Sequence, residues 1–445
     1  MNYYDLSIRV QDNADILASS DLGEWHGKLN LDRNVIRLAL QFIEEDETRE
    51  ELLKSVGNTL YNAIFDKNIS NHFAAIKAEA DKSGCGVRLR LNFEKPEIAA
   101  IPWEFLYDDS TNTFLANDPK TSLSRYIEVP LKKQDIKPAS LPLKMLLVIS
   151  SPKDLAPLDY VGEEKLIKEA LQKHVRSKQI EIDVLIKATI VNIYKKLNAK
   201  LYNVFHFIGH GVFKNNEGYI ALVDENDRAH LLDEQGFSNL FLGQQGLGLM
   251  ILNSCEGAAI SSSQAFRGMA PRLVQRGIPA VIAMQYSIRD STSKLFADIF
   301  YGSLALAKPI DEAIQSARNL ISIQVGLDKR DFATPVLYMR AKNGLILDSA
   351  KKNDLITKST EHTEISIRQL DSELLQKKLK GLYTQLDIQT DNLNHLEEEK
   401  AKYATEGIPN RLMIAVSDIM KEIEKIKLQI NNVKSQILSL GGEIS

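Results

Sequence analysis

Two apolar segments of this 445-residue chain each end in a side chain that can take part in nucleophilic chemistry. Residues 203–211 read Asn-Val-Phe-His-Phe-Ile-Gly-His-Gly and end at His210 and Gly211. Residues 249–257 read Leu-Met-Ile-Leu-Asn-Ser-Cys-Glu-Gly and contain Cys255. A cysteine attacks as the thiolate, and a neighbouring imidazole can lower the thiol pKa and later return a proton to the leaving amine. The two segments therefore predict a nucleophilic pair.

Both segments have the composition of fully buried parallel strands. They are short runs of Val, Ile, Leu and Phe closed by glycine, without the strict alternation of a half-exposed strand. In open α/β sheets, functional loops leave the carboxyl ends of such strands. If the two strands are neighbours, about 5 Å apart, His210 and Cys255 meet at this edge of the sheet.

A glycine follows each reactive residue closely, at Gly211 and Gly257. Glycine has no Cβ, so the backbone beside it can approach a substrate carbonyl without obstruction. We therefore predict that the backbone N–H groups of Gly211 and Cys255 form an oxyanion hole.

Other candidate residues have simpler interpretations. His206 lies inside its strand, which favours a hydrogen-bonded structural histidine, and His230 reaches the site only if the connecting region folds back onto it. Cys85 has no nearby histidine and no glycine-flanked strand end, so a small buried or neutral residue is favoured over a second nucleophile. Residues 101–107, Ile-Pro-Trp-Glu-Phe-Leu-Tyr, are interpreted as an aromatic packing segment rather than a catalytic one.

No metal or other cofactor is predicted. The chain has two cysteines, which give no metal-ligand cluster. Residues 224–227, Asp-Glu-Asn-Asp, carry oxygen ligands suited to calcium, but they lack the glycine and terminal glutamate of an EF-hand loop. An ordinary turn is therefore predicted there.

The surrounding pattern predicts a parallel sheet with helices between its strands. A strand at 143–149, a helix from 162 to 171, a strand at 180–186 and a helix at 190–197 precede the His210 segment. This strand–helix alternation is typical of βαβ units. Later elements are a helix at 261–276, a strand at 278–284, helices at 292–307 and 310–323, and a strand at 335–339.

The two reactive segments resemble the CHAT domain, a caspase- and separase-like family of cysteine proteases. Segments 101–107, 277–283, 287–290 and 334–338 are similar to the same family. His210 precedes Cys255 by 45 residues, near the separation of roughly 50 in caspases. The resemblance implies a caspase-like, mostly parallel α/β sheet flanked by helices. It also implies a cysteine endopeptidase with Cys255 as nucleophile and His210 as general base and then acid.

The resemblance also implies a specificity residue. In separase-like members, an aspartate at the position that matches Asp290 lies in the pocket for the residue before the scissile bond and selects a basic side chain. A carboxylate in such a pocket favours a guanidinium or ammonium group, because an unpaired buried charge is costly. The alternative is that Asp290 caps the helix that starts at Ser291. Glu256, beside the nucleophile, is a second substrate-binding candidate.

Four regions are predicted along the chain. Residues 1–84 form an α+β region packed on the protease, 85–347 form the CHAT protease domain, 348–370 form a linker, and 371–445 form a helical hairpin. Leucine, isoleucine and valine in the hairpin recur at the steps of three and four residues of a coiled-coil seam.

The hairpin has two interpretations. Its helices cover only each other, or the hairpin binds a protein partner or a second copy. It resembles the effector-associated helical modules of bacterial conflict systems, which implies recruitment or activation through a partner and a role in defence or signalling. Two isolated helices bury little apolar surface, which favours a partner or self-association.

Composition limits the remaining possibilities. The chain is 44% hydrophobic and 26% charged, without an apolar run long enough for a membrane span or a signal peptide, so a cytoplasmic location is expected. Its net charge of -4 gives no electrostatic reason to expect nucleic acid as a partner. Two alternatives to an endopeptidase stay open: a non-catalytic adaptor acting through the coiled coil, and an acyl hydrolase of small molecules.

Overall fold

The computed structural model describes residues 2–129, 136–156, 159–215, 217–253, 260–348, 360–403 and 409–439. It divides the chain into two compact units, Met1–Ser349 and Ala350–Ser445.

The elements of the first unit follow in chain order. Its strands are β1 (Tyr3–Val10), β2 (Asp15–Ser20), β3 (Gly23–Lys28), β4 (Gly86–Phe93), β5 (Tyr107–Asp108), β6 (Thr113–Phe114), β7 (Thr121–Tyr126), β8 (Leu143–Ile149), β9 (Ile180–Leu185), β10 (Val204–Ile208), β11 (Gly211–Lys214), β12 (Glu217–Val223), β13 (Ala229–Leu232), β14 (Leu249–Asn253), β15 (Ala280–Met284) and β16 (Pro335–Met339). Its α-helices are α1 (Arg33–Glu44), α2 (Glu50–Ile64), α3 (Lys67–Lys82), α4 (Pro96–Ala99), α5 (Tyr160–Arg176), α6 (Ile190–Ala199), α7 (Glu234–Asn239), α8 (Ile260–Gln275), α9 (Asp290–Ala305) and α10 (Ile310–Gln324). Short 3₁₀ turns cover Trp103–Phe105 and Arg330–Ala333.

Eleven strands form one sheet in the order β3-β2-β1-β4-β7-β16-β15-β14-β10-β8-β9. Strands β15, β14, β10, β8 and β9 are parallel to one another, and so are β1, β4, β7 and β16. The two parallel blocks meet where β15 and β16 pair in antiparallel orientation. The predicted mostly parallel α/β sheet is therefore confirmed.

Apolar cores lie on both faces of this sheet. Strand β10 contributes Val204 and Ile208 to one core and Phe205 and Phe207 to the other, as expected for alternating side chains. The first core also contains residues of α9 and α10, and the second contains residues of α8. Strands buried on both faces need continuous apolar runs, which is why these segments are recognisable in the sequence.

The amino-terminal region belongs to the same sheet. Strand β1 pairs in parallel with β4 along its whole length, from Tyr3 opposite Gly86 to Val10 opposite Phe93. Strands β2 and β3 extend the sheet beyond β1 in antiparallel orientation. Residues 1–84 therefore share a hydrogen-bonded sheet with the rest of the first unit, and a functional boundary near residue 84 stays a prediction.

The second unit contains two helices that pack against each other, α11 (Thr360–Ala401) and α12 (Asn410–Ser439). Apolar residues at the predicted seam positions are buried between them, among them Leu379, Leu382, Ile426, Ile430 and Val433. Residues 360–370, assigned to the linker from composition, belong to α11, because no glycine or proline interrupts this stretch.

Candidate active site

The two strands that lead to His210 and Cys255 are direct neighbours. Strand β10 pairs in parallel with β14, and the last pair of the ladder joins Ile208 to Asn253. The N–H of Gly209 then donates to the carbonyl of Asn253 at 3.2 Å. His210 lies two positions after its paired residue, and Cys255 lies two positions after the other. The strand adjacency that the predicted site requires is therefore present.

Part of the predicted site lies outside the described residues. These positions are 254–259, which include Cys255 and Glu256. The roles assigned to the thiol, to the Cys255 backbone N–H and to Glu256 therefore stay predictions.

The His210 imidazole is buried and contacts a backbone carbonyl. Its Nε2 lies 2.8 Å from the carbonyl oxygen of Ala156. A carbonyl oxygen only accepts, so Nε2 carries the proton in this contact and Nδ1 is the basic nitrogen of the neutral ring. Burial lowers the pKa of His210 below its ordinary value of 6.5, while the bond to Ala156 opposes that shift. At pH 7 the ring is therefore neutral and can accept a proton.

The residue after His210 begins a second, smaller sheet. Gly211 is buried and is the first residue of β11, which pairs with β12, and β12 pairs with β13. The carbonyl of His210 accepts a hydrogen bond from the N–H of Ala221 at 3.0 Å. The backbone of His210 is thus fixed by β12. The contribution of Gly211 to an oxyanion hole stays a prediction.

Asp290 lies at the start of the helix that follows the next strand of the sheet. Strand β15 is parallel to β14, and residues 285–289 connect its carboxyl end to α9. Asp290 is exposed and is the first residue of α9, while Arg289 occupies the N-cap without a side-chain capping bond. An acidic residue in the first turn interacts favourably with the helix dipole. If Asp290 were the N-cap, α9 would begin at Ser291, but the helix begins at Asp290 itself. The role of Asp290 in specificity stays a prediction.

His206 is the buried structural histidine that its position predicted. Its Nδ1 lies 2.9 Å from the Tyr301 hydroxyl, and both side chains are enclosed between β10 and α9. Complete burial lowers the pKa of His206 to about 3. The His206 ring is therefore neutral near pH 7, and its burial keeps it away from solvent and substrate.

This buried histidine makes stability depend on pH. The folded state has a pKa of about 3 at His206 and the unfolded state has about 6.5, so the unfolded chain binds more protons between these values. The stabilisation is complete above pH 6.5 and is lost as the pH falls, by about 1.4 kcal/mol for each pH unit. Urea unfolding at pH 7.5, 6 and 5 should show this loss. A His206→Asn variant should take up about one proton fewer on unfolding, and an unchanged pH slope in that variant would contradict the assignment.

A buried ion pair supports the loop after β15. Arg125 donates to both carboxylate oxygens of Glu104, and the two side chains are 2% and 1% exposed. Arg125 also donates to the carbonyls of Ala99 and Ile101. The side chain of Gln285, the first residue after β15, donates to Glu104 at 3.2 Å. The segment that leads to Asp290 is therefore anchored in the core.

The remaining sequence candidates lie away from this chemistry. Cys85 precedes β4, four strands from β14 in the sheet order, or roughly 19 Å at ordinary strand spacing. The aromatic side chains of residues 101–107 are buried, which confirms the packing interpretation.

His230 is exposed on β13. Residues 224–227 form the predicted turn, in which Asp227 accepts hydrogen bonds from Lys153 and Lys187.

Three groups that support the site or the loop after β15 had no recognisable sequence signal or only a weak one. The contribution of Ala156 is a backbone carbonyl, which no residue type encodes. Glu104 and Arg125 each stand in an otherwise uncharged, buried segment, and a buried charge requires a partner of opposite sign. That requirement suggests that such a pair exists but does not indicate which residues meet.

Comparison with known proteins supports the family resemblance. The CHAT domain family matches residues 54–326 of this chain. A solved Saccharomyces cerevisiae separase–securin complex contains a chain with 16% sequence identity and a TM-score of 0.34. That alignment covers 63% of this chain and 18% of the other, so this chain spans only a small part of the chain it resembles. No curated protein matches this chain.

The described residues contain no candidate membrane-spanning helix and no candidate metal-binding cluster. None of the helices in that part of the chain combines the length and apolar character that crossing a membrane requires. Among the same residues, no group of three or more His, Cys, Asp or Glu side chains is placed to hold a metal ion.

Proposed function

Because this chain belongs to the CHAT domain family, we propose that it is a cysteine endopeptidase in which Cys255 attacks a peptide carbonyl and His210 transfers the protons. The substrate is a protein cleaved after arginine or lysine. The carboxyl-terminal hairpin recruits or activates the enzyme through a protein partner.

One observation carries this proposal: the pairing of Ile208 with Asn253 in neighbouring parallel strands. In the sequence, His210 comes two residues after Ile208, and Cys255 comes two residues after Asn253. Both residues thus follow the carboxyl ends of neighbouring parallel strands, the edge at which open α/β sheets form their sites. A nucleophile and a base must come within hydrogen-bond reach, and this register supports such an approach.

The neutral His210 ring supports the general-base step. Nδ1 accepts the thiol proton as the sulfur attacks the carbonyl carbon, and the oxyanion is stabilised by the N–H groups of Gly211 and Cys255. The imidazolium then protonates the leaving amine, which departs as the carbon–nitrogen bond breaks. Water, deprotonated by the same ring, hydrolyses the thioester, releases the new carboxyl terminus and restores the thiol.

The adaptor alternative receives less support from the geometry. A scaffold has no need of a buried neutral histidine whose Nε2 is bound by a carbonyl and whose Nδ1 is left as the basic nitrogen. Burying a polar ring reduces stability unless its hydrogen bonds are satisfied. A role in proton transfer accounts for its position at the end of β10.

The hairpin supports a partner because it is elongated and exposes apolar side chains. Met413, Ile414, Met420 and Leu428 of α12 are 48%, 62%, 53% and 71% exposed, although the seam between the two helices is closed. Exposed apolar residues on one helix are typical of helix-mediated recognition. A role in bacterial defence or signalling is part of the same proposal and follows only from the resemblance of the hairpin to effector-associated helical modules.

The test of the proposed reaction is cleavage of a defined peptide mixture. Peptides with every residue type at the cleaved position are incubated with the wild type and with Cys255→Ala, and new termini are identified by mass spectrometry. We expect endoproteolysis by the wild type only. Cleavage that persists in Cys255→Ala, or that removes only terminal residues, would exclude this mechanism.

The specificity proposal predicts a selective loss in Asp290→Asn. Loss of a carboxylate paired with the substrate cation should lower kcat/KM after arginine and lysine by about 10–100-fold, since such a charged contact contributes about 1.5–3 kcal/mol. Stability should change by less than about 1 kcal/mol because Asp290 is an exposed first-turn residue. The matched control is Asp298→Asn on the same helix, where Asp298 pairs with Lys173. If Asp290→Asn and Asp298→Asn have the same kcat/KM for cleavage after arginine and lysine, Asp290 does not determine the specificity.

A further inference from the structure

The loop after β8 supplies the hydrogen bond that orients the His210 ring. Ala156 lies in this loop, and its carbonyl accepts the Nε2 proton at 2.8 Å. Ala156 is exposed, so packing of its own side chain does not fix the position of its carbonyl. The orientation of the imidazole therefore depends on what holds the loop.

Two adjacent residues attach the loop to the turn between β12 and β13. The Asp154 carboxylate accepts the N–H of Ala229 at 2.7 Å. The N–H of Lys153 donates to the carbonyl of Asp227 at 2.8 Å, and its ammonium group lies 2.8 Å from the Asp227 carboxylate. The attachment thus ends two residues before Ala156.

The turn that receives these bonds is itself well defined. The Asp224 carboxylate accepts the N–H groups of Asn226 and Arg228, each at 2.8 Å. Asp227 has a φ of 60°, a left-handed conformation that aspartate tolerates in turns. Val223 and Ala229 then pair at the start of the β12–β13 ladder. The loop is therefore attached to an ordered strand pair.

The same strand pair also holds the backbone of His210. Ala221 of β12 donates to the carbonyl of His210 at 3.0 Å and accepts from the Ser150 hydroxyl at 2.7 Å. The imidazole is thus connected back to its own backbone. It is hydrogen-bonded to Ala156, the chain leads from Ala156 to Asp154, Asp154 is hydrogen-bonded to the small sheet, and Ala221 of that sheet is hydrogen-bonded to the His210 carbonyl. Through these connections the strand pair fixes the ring relative to its own backbone.

We propose that Asp154 is a positioning residue for His210, which acts by fixing the Ala156 carbonyl so that the proton stays on Nε2 and Nδ1 is presented as the base. This inference rests on the proposed function for its catalytic consequence. Asp154 is favoured over Lys153, because the Lys153–Asp227 ion pair has side chains 71% and 37% exposed and such pairs contribute little. The Asp154 carboxylate instead accepts directly from a backbone N–H, a charge-assisted bond of fixed geometry.

The test combines kinetics with the tautomer of His210. Asp154→Ala removes the acceptor, and Asp154→Asn keeps an oxygen that can accept from Ala229. The matched control is Asp66→Ala, in which the deleted carboxylate accepts the backbone N–H groups of Asn68 and Ile69 at the start of α3. Selective ¹⁵N-histidine labelling reports which ring nitrogen carries the proton and whether that N–H is hydrogen-bonded. A short peptide with arginine immediately before the cleaved bond reports kcat and KM.

We expect Asp154→Ala to lose the signature of a hydrogen-bonded Nε2–H at His210 and to lower kcat about tenfold, since small misplacement of a catalytic group is costly. KM should stay within about twofold, because the substitution removes no group that binds the substrate. Asp154→Asn and Asp66→Ala should resemble the wild type in both measurements.

The inference is overturned if Asp154→Ala keeps both the Nε2–H signature and the wild-type kcat. It is also overturned if Asp66→Ala produces the same loss as Asp154→Ala, since the effect would then come from general destabilisation. If the hydrogen-bonded Nε2–H signature is lost in Asp154→Ala while the wild type cleaves no peptide, the positioning role holds and the proposed peptidase activity fails.

Discussion

Replacing His210 with alanine is expected to lower kcat for peptide cleavage by about 10²–10⁴-fold, the usual contribution of a positioned general acid–base. The ring is the group proposed to take the thiol proton and to protonate the leaving amine. Stability should fall by only about 1 kcal/mol, because the substitution removes one hydrogen bond to an exposed loop. Steady-state kinetics with a peptide that has arginine immediately before the cleaved bond measures the first effect, and urea unfolding measures the second.

The matched control for this variant is His230→Ala. His230 also lies in the segment between the two reactive strands, but it is exposed on β13. Its removal should leave kcat unchanged within about twofold. A similar loss of kcat in both variants would show that the segment as a whole, rather than the His210 imidazole, supports activity.

The pH dependence of cleavage provides an independent check on His210. Burial lowers the pKa of this ring, so the fraction able to accept a proton falls only below the ordinary histidine value of 6.5. Activity limited by this base should therefore persist to lower pH than an exposed histidine would allow, and its acid limb should lie below pH 6.5. The acid limb should disappear from the residual activity of His210→Ala.

Replacing Arg125 with methionine is expected to reduce the free energy of unfolding by about 3–5 kcal/mol, the usual cost of leaving one buried charge without its partner. The Glu104 carboxylate would keep the weaker hydrogen bond from Gln285. The carbonyls of Ala99 and Ile101 would lose their guanidinium donor. A loss of this size is a large part of the roughly 5–15 kcal/mol that stabilises a typical domain. Denaturant unfolding at neutral pH measures it.

A surface pair of the same chemistry is the control. Arg9 donates to Glu94 at 2.8 Å, and these side chains are 42% and 29% exposed. Arg9→Met should cost less than about 1 kcal/mol, since water solvates the carboxylate left behind. Equal losses in Arg9→Met and Arg125→Met would mean that burial is not what makes the Arg125 pair important.

The parallel core of the fold could be predicted because strands that are buried on both faces have recognisable apolar sequences. Strands β8, β10 and β14 are covered on both faces, so their segments are continuous apolar runs, and the helices between them show clear periodicity. Strands β2 and β3 were not predicted. They lie at the sheet edge and alternate weakly, and β3 has no buried residue.

The predictable part of the site is the part that depends on strand order. The position of His210 at the carboxyl end of β10, beside the strand that leads to Cys255, follows from two apolar runs and the rule for parallel sheets. The Ala156 hydrogen bond did not follow, because it depends on a loop conformation that no local pattern encodes. The Glu104–Arg125 pair likewise joins segments whose proximity arises from tertiary packing.

We propose that Cys255, two residues after β14 in the sequence, is the activated nucleophile. The most direct measurement is the intact mass of the protein after exposure to peptidyl electrophiles that end in arginine, lysine, aspartate or leucine, with Cys255→Ala treated alongside. We expect one adduct on the wild type with the basic electrophiles, located at Cys255 by peptide mapping, and none on Cys255→Ala. An adduct on Cys85, or equal labelling of both proteins, would contradict it.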